Sequence, residues 1–141
     1  MIAYLDTSAL ARRYLAEPGS ERVRALLRGS RRVAVSRLAF AELCAGVARA
    51  CRLGTITESQ RDAIFRRVPD DFAALEVVEP RRAVVERVPA LVLAHPLRAY
   101  DALQLASCLT LKAAGLAVEL WSNDGELNAA AKAEGLKTVA L

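Results

Sequence analysis

Short runs rich in β-branched and aliphatic residues alternate along this chain with longer runs whose apolar residues recur at helical spacing. That alternation is the pattern of an α/β sheet, and it excludes most all-helical and all-β architectures. The runs predict strands near 2–5, 32–36, 75–78, 117–121 and 138–140. They predict helices near 8–16, 19–29, 37–53, 57–73, 80–94, 98–114 and 126–134. Gly54, Gly115 and Gly135 fall where helix C-caps are expected. Pro18 and Pro80 fall near helix starts, whereas Pro69 and Pro89 sit inside helical patterns and are expected to break or kink them. Short strand–helix connections favour parallel pairing with right-handed crossovers. The expected fold is a three-layer α/β domain over residues 1–141, a central parallel sheet of about five strands flanked by helices. In such sheets ligands bind beyond the carboxyl ends of the strands, where the strand order reverses.

Apolar residues make up 54% of the chain, which supports one well-buried core. No apolar run reaches the roughly 20 residues a membrane span needs. The N-terminus opens directly on Ile2-Ala3-Tyr4-Leu5, without the basic region of a signal peptide, so the expected location is cytoplasmic. Cys44, Cys51 and Cys108 show no framework spacing and read as buried apolar thiols. The single histidine, His95, argues against histidine-rich metal sites. The net charge is +4, and 17 of the 20 basic residues are arginine, whose planar fork suits phosphate. A phosphate-rich partner is consistent with that balance, as is an ordinary solvated surface.

Four acids stand out by position. Asp6 ends the first predicted strand, where a carboxylate reaches the crevice at the sheet's carboxyl edge; helix N-capping is the plain alternative. Glu42 has Leu38, Ala39, Ala45 and Gly46 as helical neighbours, a small apolar stripe on which an unpartnered Glu is unusual. Asp101 lies on the stripe of Leu105, Cys108 and Leu109, with a first-turn helix-dipole role as its alternative. Asp124 follows the fourth strand, and Asn123 with Glu126 resembles a capping box that would make this segment structural. Glu119 and Glu126 are the nearby acids that could replace it. Carboxylates gathered at one site must protonate or bind a cation. Hard oxygen ligands suit Mg²⁺ or Mn²⁺, ions that accept phosphate oxygens and activate water.

These segments resemble a known family. Tyr4-Leu5-Asp6-Thr7-Ser8-Ala9-Leu10 is similar to the opening motif of the PIN-domain ribonucleases, and Leu97-Arg98-Ala99-Tyr100-Asp101-Ala102-Leu103-Gln104-Leu105-Ala106 to their third acidic motif. Glu42 matches the helical glutamate between them, and Ser122-Asn123-Asp124 with Leu127 resembles the closing motif, in which many members carry Thr. Size and the lack of further domains resemble the VapC toxins of toxin–antitoxin pairs. The resemblance implies a PIN-like fold, Mg²⁺-dependent RNA cleavage, homodimerisation and neutralisation by a small VapB-type antitoxin. Asp6 and Asp101 match the principal metal ligands, Glu42 a ligand or water-orienting acid, and Asp124 a more variable fourth. Ser8 matches a hydroxyl beside the first ligand, and Ser122 stands before the last. Arg12, Arg13, Arg37 and Arg98 neighbour the acid motifs and are candidates to hold RNA phosphates. The 37–53 and 57–73 helices are candidates for the dimer interface.

Two other classes compete. An aspartate-based phosphoryl-transfer protein would use Asp6 as nucleophile, but the second Asp of dehalogenase-like phosphatases is replaced by Ser8, and the last strand is not followed by the Lys of a receiver. A non-catalytic RNA-binding or interaction domain has no use for an intact acid set, because unused buried acids destabilise a fold.

Overall fold

The computed structural model describes residues Met1–Leu141. The strands are β1 (Ile2–Leu5), β2 (Val33–Ser36), β3 (Glu76–Val78), β4 (Val118–Ser122) and β5 (Lys137–Ala140). The helices are α1 (Thr7–Ala11), α2 (Ser20–Arg28), α3 (Leu38–Arg52), α4 (Glu58–Ala73), α5 (Arg82–Val85), α6 (Val88–Ala94), α7 (Ala99–Ala113) and α8 (Gly125–Ala133). All strand pairs are parallel, in the order β3-β2-β1-β4-β5. The chain proceeds outward from β1 through β2 to β3, then returns to lay β4 on the other side of β1. The order therefore reverses between β1 and β4, and a crevice opens beyond their carboxyl ends.

Strand alternation divides the core. Ile2 and Tyr4 of β1, Ala34 of β2, and Val118 and Leu120 of β4 face one layer, built with Leu105, Ala106 and Cys108 of α7 and Leu127, Ala130 and Ala131 of α8. Ala3 and Leu5, Val33 and Val35, and Trp121 face the other, built with α1 to α4. Both sheet faces are covered, so β1 is apolar throughout and β2 apolar up to Ser36, rather than alternating with polar residues.

Helix ends follow the sequence closely. After α3, α7 and α8 the chain turns through Gly54, Gly115 and Gly135, each at positive φ. In each case the residue after the glycine donates its N–H back five residues, as from Leu116 to Leu111 and Leu136 to Ala131, closing a Schellman motif. Thr57 and Gln60 cap α4 reciprocally. Three expectations change. The first predicted helix, 8–16, stops at Ala11, and Arg12 to Tyr14 continue as tighter i−3 turns. The predicted 80–94 helix is two short helices, with Pro89 at the start of α6, where its missing N–H costs nothing. Pro69 lies inside α4 without interrupting it.

The cysteines also differ in part from expectation. Cys108 is fully buried, but Cys44 and Cys51 are only half-buried. Burial raises the Cys44 and Cys108 thiols above their ordinary range, which favours their protonated form. His95 ends α6 and bonds Glu134 of the α8 end through Nε2 at 2.8 Å, a structural latch between the helices of one layer.

Candidate active site

The reversal between β1 and β4 puts the residue after each strand at the crevice. Asp6 directly follows β1 and caps α1, with its Oδ1 accepting from Ala9 N at 2.8 Å and from Ser8 Oγ at 2.7 Å. Its Oδ2 accepts from Ser122 Oγ at 2.6 Å. Asp6 is 5% exposed and cannot rotate without breaking several bonds. Ser8 Oγ also accepts from Asn123 N at 3.0 Å, and Ser122 Oγ from Asp124 N at 2.9 Å. The two serines thereby tie the end of β1 to the end of β4.

Asp124 is the N-cap of α8, its Oδ1 accepting from Leu127 N at 2.9 Å. The cap anticipated at Asn123 is thus Asp124 itself. Capping and site duty are compatible, since Asp124 Oδ2 receives no hydrogen bond from the protein and the helix N-terminus favours negative charge. Asn128, one turn on, is buried; its amide donates to the Ser122 carbonyl while Oδ1 finds no partner.

Asp101 stands in the first turn of α7. The end of α7 leads by a short connection into the start of β4, so its N-terminus lies at the sheet's opposite, carboxyl end. Asp101 is half-buried, and no side chain donates to it. Glu42 sits in the second turn of α3, half-buried at the edge of the apolar stripe rather than within it, because Ala45 and Gly46 are exposed. Its Oε1 accepts from Thr7 Oγ1 at 2.8 Å and from Gln104 Nε2 at 3.2 Å. Thr7 and Gln104 carried no reading as site residues. Both lie inside the acid motifs, where they pass for an ordinary helix start and a helix-surface amide.

The acids act on one another electrostatically. Burial pushes the Asp6 carboxyl up, the donors Ser122, Ala9 and Ser8 pull against it, and the field of Asp124 adds to a net rise. Asp101 is also raised, first by burial, then by Asp124, with Arg98 opposing and Glu126 adding. Glu119 does not belong to this group; alternation turns it to the other face, where it accepts from Arg31 and Trp121.

The donor set is carboxylate oxygen backed by hydroxyls, the chemistry that suits Mg²⁺ or Mn²⁺. As placed, no three Asp, Glu, His or Cys side chains form a ready-made ligand cluster. Asp6 and Glu42 instead satisfy themselves with protein donors, while Asp124 Oδ2 and Glu42 Oε2 receive none. The residues fit a divalent ion in charge and in ligand type.

The four candidate arginines separate. Arg12 is 4% exposed; its guanidinium donates to the Pro18 and Ser8 carbonyls and pairs with Glu17, so it clamps the α1–α2 turn and does not reach solvent phosphate. Arg13 forms a bidentate pair with Asp71 beside residues 31–33, where β2 begins. That is the amino edge of the sheet, the wrong end for the acid site. Arg37 follows β2 at the correct edge but is paired with Glu79. Arg98 is exposed, has no acidic partner in an ion pair, and opposes the rise of Asp101 through its backbone N–H and then its charge.

The Arg13 pair has a measurable role. Burial alone would raise the Asp71 carboxyl, but hydrogen bonds from Arg13 and Tyr14 outweigh it and hold the group below its ordinary range. A carboxyl depressed by folding stabilises the fold above its unfolded pKa of about 3.9 and loses that contribution as pH falls through the folded value. Asp71→Asn is expected to cost roughly 1–3 kcal/mol at pH 7. The gap to the parent should shrink in denaturant titrations at about pH 3, below the unfolded pKa. The acid site, at the opposite edge of the sheet, should be unaffected.

Comparison with known proteins accords with this geometry. The PIN-domain family pattern matches residues 3–133. The chain is 36% identical over 136 residues to Ribonuclease VapC45 of Mycobacterium tuberculosis, covering 96% of this chain and 93% of that protein. Its fold is similar to that of FitAcB from Neisseria gonorrhoeae, with a TM-score of 0.69 at 20% identity over 98% of this chain and 96% of that one. It is also similar to VapBC2 from Rickettsia felis, crystallised with a DNA fragment from its promoter, at a TM-score of 0.68 and 16% identity over 100% and 99% of the two chains. The chain belongs to the PIN-domain family, and within it groups with the VapC ribonucleases.

Proposed function

We propose that this protein is a divalent-metal-dependent endoribonuclease and the toxin of a VapBC-type pair. The observation that carries the reading is the placement of Asp6 and Asp124 at the β1/β4 reversal, tied by Ser8 and Ser122, in a chain 36% identical to a VapC ribonuclease over nearly its whole length. Asp6, Asp101, Glu42 and Asp124 would hold Mg²⁺, with Mn²⁺ as substitute. When bound, the ion supplies positive charge for the phosphodiester oxygens and makes a water more acidic. The chain's own residues do the rest. Ser8 and Ser122 fix the Asp6 carboxylate, α8 and its cap fix Asp124, and Arg98 offers a phosphate the positive charge that the acids would otherwise repel. RNA is the substrate class. A small VapB-type antitoxin is the expected partner, supported by the VapBC neighbour, and a homodimer in the cytoplasm is the expected working form. No helix is long and apolar enough to cross a membrane.

Cleavage of mixed RNA with Mg²⁺, with Mn²⁺ and with EDTA tests the reading; undiminished activity in EDTA would remove the metal. Stability gives a second test. An acid whose carboxyl is raised by folding destabilises the fold when ionised, so removing its charge relieves the cost. In EDTA, Asp101→Asn is expected to melt no lower than the parent. Mg²⁺ should raise the parent's melting temperature more than the variant's, because the ion binds only the folded cluster. A variant clearly less stable in EDTA, with neither protein responding to Mg²⁺, would make Asp101 a structural residue. Size-exclusion with light scattering checks the dimer.

A further inference from the structure

Gln104 is 4% exposed and Tyr4 fully buried, beside a layer built mainly of aliphatic side chains. A buried amide and phenol are costly unless each polar atom is satisfied, and Leu and Phe would pack there without that demand. Their bonds are all made, and all run one way. Glu42, as a carboxylate, only accepts, so the group 3.2 Å from its Oε1 must be the Gln104 amide nitrogen. The Gln104 carbonyl oxygen then faces Tyr4, whose hydroxyl must donate to it, at 2.6 Å. Thr7 gives its hydroxyl proton to Glu42 Oε1 at 2.8 Å and so accepts the second amide hydrogen of Gln104 at 3.2 Å. Every proton of the network is directed toward Glu42. Thr7 adjoins Asp6, and Gln104 lies one turn after Asp101, so the network joins the three elements that carry these acids.

We propose that Gln104, held from behind by Tyr4, is a positioning residue that pins Glu42 by one carboxylate oxygen and leaves Oε2 for the metal-binding work of the site. The inference rests on the nuclease reading above and adds to it a residue that does not itself touch RNA or ion. Fixing one oxygen with two donors restricts the torsions of a flexible side chain. It also lowers the ordering cost of engaging the other oxygen, the role outer hydrogen-bonding partners play for metal ligands.

The test is a double-mutant cycle on the full chain, with Gln104→Met, Glu42→Ala and the pair. Two quantities are read: kcat and KM for RNA cleavage in saturating Mg²⁺, and Mn²⁺ affinity by titration calorimetry without RNA. Gln104→Met should lower kcat and weaken Mn²⁺ binding by roughly 10-fold to 100-fold, with KM for RNA unchanged. In the Glu42→Ala background the same change should have no further effect on either. Gln104→Met removes the acceptor of the Tyr4 hydroxyl, so Tyr4→Phe/Gln104→Met, which removes both polar groups, carries the cycle if the single variant folds poorly. Equal losses in both backgrounds, parental values for Gln104→Met, or no Mn²⁺ binding by the parent would overturn the assignment. Should the parent bind Mn²⁺ but fail to cut RNA, the nuclease reading fails, and the affinity half of the cycle still decides whether Gln104 acts through Glu42.

Discussion

Asp6→Asn is expected to reduce RNA cleavage by roughly 100-fold or more while leaving the fold intact. The side chain keeps its shape. Asn is among the best N-cap residues, so its Oδ1 can continue to accept from Ala9 and Ser8 at the head of α1. What changes is the other atom, where an amide nitrogen replaces the oxygen that now accepts from Ser122 at 2.6 Å. That atom can no longer serve as an anionic ligand. Asp6 is also raised by burial and by the field of Asp124, so removing its charge relieves repulsion in the metal-free protein. The expected signature is therefore lost activity with an unchanged or slightly higher melting temperature in EDTA. Cleavage rates of parent and variant across a Mg²⁺ series, with thermal melts of the same samples, check both halves. Parental cleavage by Asp6→Asn would sink the proposed site.

The architecture was legible because it is written in local signals. Each glycine expected at a C-cap lies just past a helix, at positive φ, and the five strand runs fall within a residue or two of the observed strands. The alternation of strand and helix led to a parallel sheet, and the acids after β1 and β4 to the reversal point. Less of the site was legible. Asp6 and Asp124 each admitted a capping reading and a functional one, and both cap: a strand that ends at a helix N-terminus needs a cap at the very position a crevice needs a carboxylate. Sequence proximity misjudged Arg12 and Arg13. Arg12 folds back onto the Ser8 and Pro18 carbonyls, and the chain beyond α1 carries Arg13 to the amino edge within a few residues. Gln104 was not legible at all, because the partners that give it meaning, Tyr4, Thr7 and Glu42, are 100, 97 and 62 residues away.

Leu120→Ala is expected to cost about 2–5 kcal/mol of stability, the range for deleting a buried Leu side chain when the walls relax only in part. Leu120 is fully buried at the middle of β4, with Tyr4 of β1 beside it on one side and Thr138 of β5 on the other. Its side chain fills the layer between the sheet and α7 and α8, among Leu105, Ala106, Leu127 and Ala131. Backbone hydrogen bonds on both edges of β4 hold the strand in place, so the sheet cannot close the gap by moving a single residue. Alanines on the facing helices are too short to reach into it. For a domain of this size a loss of that magnitude lowers the melting temperature by roughly 7–17 °C. Denaturant titration at fixed temperature should show a lower midpoint with an unchanged slope, since the surface exposed on unfolding is nearly the same. The same cavity lies under α7, whose first turn carries Asp101, and α8, capped by Asp124, and beside Tyr4 behind Gln104. Mn²⁺ affinity of the folded Leu120→Ala protein should therefore fall as well, whereas a core substitution on the opposite sheet face, Val23→Ala in α2, a helix that carries none of the four acids, should lower stability with less effect on the ion. Equal Mn²⁺ affinities in parent and Leu120→Ala would show that the acid site is held by its own hydrogen bonds and not by the packing beneath it.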